Sequence, residues 1–127
     1  MEFRAVNPES VPEPHGGYVN ALQVIGAQRW LYVSGQIPQA RDDHVPTDFE
    51  GQCRLVWRNV LAALWDADMD VPNLVKVTTF LADRRYAQSN SAVRRAVLGD
   101  HRPALSVVVA QIFDPAWLVE IEAVAAA

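Results

Sequence analysis

The sequence predicts an α+β fold in which two helices pack on one face of a mixed β-sheet. Three observations carry this. The apolar period turns helical at Phe49, and the run Leu74–Leu81 is β-prone and apolar on both faces. The elements follow in the order β-hairpin, helix, strand, helix, strand, strand, with no repeat that would suggest another architecture.

Taken from the start, Pro8, Pro12, Pro14, Gly16 and Gly17 forbid a regular element and make residues 7–17 a loop. Asn20–Gly26, which turns apolar, and Trp30–Ser34 are short β-prone runs, and the tight link Gly26–Arg29 between them predicts a hairpin. Gln36–Thr47, broken by Pro38 and Pro46, is a surface loop. Phe49, Cys53, Val56, Val60 and Ala63 then share one helical face, with Thr47 or Asp48 placed to cap the free amides of the first turn. Asp66–Asn73, with Pro72, closes that helix. Leu74–Leu81 reads as a central strand. Asp83 is placed to cap a second helix, on which Tyr86, Asn90, Val93 and Val97 share a face and which Gly99 stops. Strands are expected over Ala104–Ile112 and Trp117–Val124, joined by a turn at Asp114–Pro115.

At 127 residues, 50% hydrophobic and 20% charged, the chain has the size and balance of one globular domain over residues 1–127. A domain this small leaves apolar surface uncovered, which favours burial against further copies of itself. The formal charge is −4, and Lys76 is the only lysine among 11 cations, with no basic run. A nucleic-acid partner is therefore not expected. Met1–Arg4 lacks the basic start and apolar run of a signal peptide, and no apolar stretch is long enough to span a bilayer. The expected location is cytoplasmic, with no membrane partner.

Candidate chemistry is sparse. Cys53, the single cysteine, lies in the helical apolar pattern and reads as a buried, inert thiol. His15, His44 and His101 fall in loops at no compact metal spacing, so neither a metal nor a cofactor is expected. Ser34 lacks the first glycine and the following helix of a nucleophile elbow. Glu120 and Glu122 interrupt an apolar strand two residues apart, so they project from one face and either point to water or line a polar cleft. Tyr18, Ser34, Gly35, Thr78, Asn90 and Ala104 are further candidates. Each has a plain structural alternative: Tyr18 as a packed aromatic, Gly35 as a backbone necessity, Thr78 as a strand former, and Asn90 as a polar residue on a helix surface.

Several segments, in their order, carry a family likeness: Gly17-Tyr18, Tyr32-Val33-Ser34-Gly35-Gln36-Ile37-Pro38, Val75–Asp83, Asn90, His101-Arg102-Pro103-Ala104 and Val119–Ala125. On these the chain resembles the Rid family (YjgF or RidA-like, also called endoribonuclease L-PSP) over nearly its whole length. The resemblance implies a chorismate-mutase-like fold and a homotrimer. In that assembly the sheets face one another, the helices lie outside, and a small-molecule cleft sits between each pair of neighbouring subunits. It further implies hydrolysis of reactive enamines and imines such as 2-aminoacrylate, an imine-deaminase activity. In that chemistry an arginine directly after Pro-Ala clamps the substrate carboxylate and a glutamate matching Glu120 handles the water.

Here the sequence departs from the family. Pro103-Ala104 is present, but the next residue is Leu105, which offers no donor. Val107 and Val109 share its strand face, so the position belongs to an apolar wall. Loss of a bidentate carboxylate contact costs several kcal/mol. Arg102, three residues earlier, is a candidate to reach the cleft from the loop in place of the arginine, although its odd offset puts it on the opposite strand face and Pro103 interrupts the strand. The sequence thus predicts a variant Rid protein with weak or no 2-aminoacrylate turnover. Glu120 would be catalytic, and Tyr18, Ser34, Gly35, Asn90, Ala104, Leu105 and Val107 would bind the ligand. A non-catalytic small-molecule-binding trimer is the alternative. Ribonuclease or translation-inhibitor activity ranks last, given the acidic charge and the single lysine.

Overall fold

The computed structural model describes residues 1–127. Eight strands and helices run in the order β1 (Glu2–Val6), β2 (Ala21–Ile25), β3 (Trp30–Gln36), α1 (Phe49–Asp66), β4 (Leu74–Leu81), α2 (Ala87–Leu98), β5 (Ala104–Val109) and β6 (Val119–Ala126). Four strands form a mixed sheet in the order β3-β6-β4-β5, in which only β4 and β5 run parallel. α1 lies on β3 and β6, and α2 packs against α1, so both helices cover one face of this sheet as expected. β1 and β2 form a separate antiparallel pair.

The helical period at Phe49 is realised over its full length. Asp48 caps α1, its Oδ2 accepting from the Gly51 amide at 3.3 Å. The buried stripe Cys53, Val56, Trp57, Val60 and Leu64 meets Val33, Leu74, Val77, Ile121, Ala123 and Ala125 of the sheet in one apolar core. The small side chains of Ala123 and Ala125 let α1 approach closely. Asp83 does not cap α2 directly: its carboxylate accepts from Arg85, opening a short 3-10 turn that leads into the helix. Gly99 ends α2 with φ of 57°.

One expected pairing is overturned. Ala21–Ile25 and Trp30–Gln36 are both strands, yet they do not form a hairpin with each other: β2 pairs with β1, and β3 pairs with β6. The linking residues explain this. The Gln28 and Arg29 amides both donate to the Ala127 carbonyl at 2.8 Å, and the Ala127 amide returns a bond to Arg29 at 2.9 Å. These bonds draw the link toward the C-terminal strand and away from β2. The freed strand is taken up by Glu2–Val6, which sequence reading left unassigned. Strand ends shift for local reasons too. β5 stops at Val109, where the Ala110 amide bonds Leu81 at the end of its neighbour. β6 starts at Val119, since the Asp114 turn takes up the Ala116 and Trp117 amides, and it extends through the terminal alanines opposite Trp30 and Leu31.

Candidate functional site

The register sorts the candidate residues onto two faces. Leu105, Val107 and Val109 stand beside Val77, Thr79 and Leu81, the buried, helix-side residues of β4. Leu105 packs against the core, whereas Val107 and Val109 are about half exposed on the free edge of the sheet, at 43% and 50%. Phe80 pairs with Glu120 and Thr78 with Glu122, so both glutamates project from the opposite, open face. On that open face Glu120 borders a cleft whose lining is largely apolar. Within one chain Glu120 and Leu105 do not meet.

Glu120 occupies a cleft of about 240 Å³ lined also by Phe80, Ala110, Gln111, Ile112 and Phe113. Phe113 is 92% exposed and stands at the rim. Two side chains, buried Gln52 and half-buried Asn59, set this geometry. Gln52 is 2% exposed, and its Nε2 donates to the Pro46 and Ala116 carbonyls, both at 2.9 Å. Its Oε1 accepts from the Leu118 amide at 2.7 Å, which fixes the entry of β6 two residues before Glu120. Asn59 donates to the Ile37 and Gln39 carbonyls at 3.1 and 3.2 Å, holding the loop that follows Ser34-Gly35-Gln36.

Ser34 and Gly35 form a bulge in β3: Val33 pairs with Ala123, but the next pair is Gln36 with Ile121. The Glu120 carboxylate lies over Gly35, and a Cβ built there would overlap its oxygen and carboxyl carbon. Gly35 is therefore the space in which that carboxylate rests. Gly35→Ala is expected to turn the Glu120 side chain out of the cleft without unfolding the chain, because the colliding atoms end a flexible side chain. A structure of the variant tests this.

Tyr18 is brought beside Ala104 by the backbone of the residue that follows it. The Val19 amide donates to the Pro103 carbonyl at 3.2 Å, and Val19 makes an isolated parallel bridge to Ala104. Half-buried Tyr18 thus borders the start of the β5 wall. Asn90 is placed differently from both sequence readings. At 1% exposure it is neither on a helix surface nor on an open cleft wall, and its Oδ1 accepts from the Cys53 thiol at 3.8 Å. Cys53 is fully buried, and desolvation pushes its pKa up to about 12, so it stays a neutral thiol. His101 bonds the Leu74 carbonyl at 2.7 Å, bracing β4. No three His, Cys, Asp or Glu side chains converge anywhere.

Sequence reasoning missed Phe80, Phe113 and Gln52. Phe80 was findable once β4 and β6 were paired, because it stands opposite Glu120. Phe113 and Gln52 gave no local signal, since their roles depend on contacts across the chain.

Two helices backing a mixed sheet, with a glutamate-bearing cleft on the open face and an apolar free edge, define the class. Residues 8–127 match the model of the Endoribonuclease L-PSP family, and the chain belongs to that family, the Rid family. A RutC family protein of Pyrococcus horikoshii is 31% identical over 119 residues, covering 92% of each chain. The 2-iminobutanoate/2-iminopropanoate deaminase of Escherichia coli is 30% identical over 126 residues, covering 96% of each. A Rid family protein of unknown function from Yersinia pestis shares the fold with a TM-score of 0.87 at 24% identity over the full length of both chains. The Escherichia coli protein TdcF, crystallised with bound serine, superposes with a TM-score of 0.73 at 26% identity over 98% of each chain.

Proposed function

We propose that this chain is a variant Rid protein that hydrolyses a small imine or enamine whose reacting end is not anchored by a neighbouring carboxylate. The observation that carries this reading is the Glu120 carboxylate, set over Gly35 in a cleft walled by Phe80, Ile112 and Phe113. A carboxylate so held takes a proton from a water aimed at the C=N carbon and returns it to nitrogen, so imine and water become carbonyl compound and ammonia. The likeness to a deaminase of 2-imino acids supports the reaction class. Leu105 sets this chain apart, for it presents hydrocarbon where the family's carboxylate clamp belongs.

A complete site on this reading needs a second copy. Glu120 opens on one sheet face and the wall Leu105, Val107 on the other, so a neighbouring subunit's β5 edge must meet the Glu120 cleft. Exposed Tyr32, Trp30 and Val108 on the open face supply apolar surface for that contact. Sedimentation or light scattering of the purified chain should give a homotrimer; a monomer at micromolar concentration would remove the shared cleft. The chemical test is an imine panel from uncharged to carboxylated, read by carbonyl and ammonia release. Turnover of uncharged members above background supports the enzyme.

The second reading is a trimer that holds a small metabolite without turning it over. Leu105 favours it, since loss of the clamp removes a group that orients substrate for attack. The serine held by TdcF shows that a family member accommodates a small polar ligand. Binding without turnover across the panel selects this reading. Ribonuclease activity has the least support, with a net charge of −4 and one lysine.

A further inference from the structure

Arg94 is 5% exposed, yet it has no acidic partner: the chain's ion pairs are Arg4–Glu2 and Arg54–Glu50. Its protein hydrogen bonds both come from Nη2, to the Gly16 carbonyl at 3.2 Å and to Ser91 Oγ at 3.4 Å. Nε and Nη1 donate to nothing in the chain, although neither is sealed from the surface. Desolvation, with Arg95 nearby, pushes the Arg94 pKa down, so the buried charge is unfavourable as it stands. Buried guanidinium groups are ordinarily paired, because an uncompensated one forfeits its hydration.

A second guanidinium reaches the same turn. A Cβ built on Gly17 would lie 3.6 Å from Arg102 Nη1, and one on Gly16 would lie 4.0 Å from Arg94 Nη2. Gly16 and Gly17 hold φ of 100° and 85°, where a side chain is strained, so this turn stays bare between two cations. The turn is tied to the β5 wall through Val19 and Ala104, three residues beyond Gly16, a reach of at most roughly 10 Å.

We infer that Arg94 and Arg102 form an anion-binding site at the Gly16–Gly17 turn. Its ligand is a small carboxylate whose apolar body lies along Leu105 and Val107. Guanidinium donors left open on Arg94 donate to the carboxylate oxygens, while Arg102 supplies the second charge from solvent. Such a ligand keeps its anionic group a molecule's length from the wall, unlike an amino-acid-derived imine, whose carboxylate adjoins the reacting carbon. Only the placement of the apolar body rests on the proposed cleft; the anion site stands without it.

The probes are hexanoate and hexanamide, matched in their apolar body and differing in charge. Titration of the full chain labelled with nitrogen-15 arginine follows the Nε–H signal of Arg94, identified by its loss in Arg94→Gln. Hexanoate should move that signal and bind at least about tenfold more tightly than hexanamide. Arg94→Lys, which keeps charge but loses the fork, and surface Arg102→Gln should each weaken hexanoate several-fold and leave hexanamide unchanged. Arg102 is exposed, so its variant remains informative if substitution of Arg94 unfolds the chain. Equal affinity for the two probes, or hexanoate binding untouched by Arg102→Gln, overturns the site. Leu105→Ser is a separate arm: if it weakens neither probe while the arginine variants weaken hexanoate, the proposed apolar wall fails and the anion site survives.

Discussion

Glu120→Gln is expected to lower turnover of any imine hydrolysed by the wild type by at least about a hundredfold, the usual contribution of a positioned acid-base group. The substitution preserves shape and a hydrogen-bond acceptor above Gly35 but cannot take the proton of the attacking water. Binding should persist, because the cleft walls come from Phe80, Ile112 and Phe113. Single-turnover kinetics separates the two effects, with the loss in the chemical step and little change in ligand affinity. Glu120→Gln turnover within a few-fold of wild type would move the acid-base role elsewhere.

The second large effect concerns stability. Leu64 is fully buried where α1 meets the sheet, so Leu64→Ala should cost about 3 kcal/mol through lost burial and the cavity left behind. Trp65, its neighbour, is 54% exposed and bonds Asp70 at 3.1 Å across the surface. Trp65→Ala should cost under about 1 kcal/mol, the scale of one surface hydrogen bond. Denaturant unfolding at a fixed protein concentration compares the pair, since self-association would make apparent stability concentration-dependent. Equal losses would contradict the placement of the core beneath α1.

The period of α1 and the β-branched run of β4 were legible because each encodes its own burial: residues 49–66 repeat at the helical period and residues 74–81 form a strand with the expected bounds. Pairing was less legible. β2 and β3 are close in sequence, but the link before β3 is bonded to Ala127 at the far end of the chain, while β2 pairs with β1. Glu120 and Glu122 could be assigned a common face from their spacing, while the cleft around them required Phe113 from a loop and Phe80 from another strand. Asn90 shows the opposite failure. Its position on the Val93 face was readable, but its burial against Cys53 depends on how α2 meets α1. The open donors of Arg94 were invisible for a similar reason, since nothing in the sequence says which arginine lacks an acid.

Leu105 ties these strands together. The register sets it beside Val77 in a row with Val107 and Val109, so it belongs to an apolar edge continuous with the core. On the proposed reading that edge faces a neighbour's Glu120, and an amino-acid-derived imine finds the catalytic carboxylate without the clamp that would orient it. The most direct test is 2-aminoacrylate hydrolysis by the wild type and Leu105→Arg side by side, read by keto-acid formation. The wild type should stay at background and Leu105→Arg should rise measurably above it. Robust wild-type turnover that disappears in Glu120→Ala would contradict the account, because the clamp would then be dispensable.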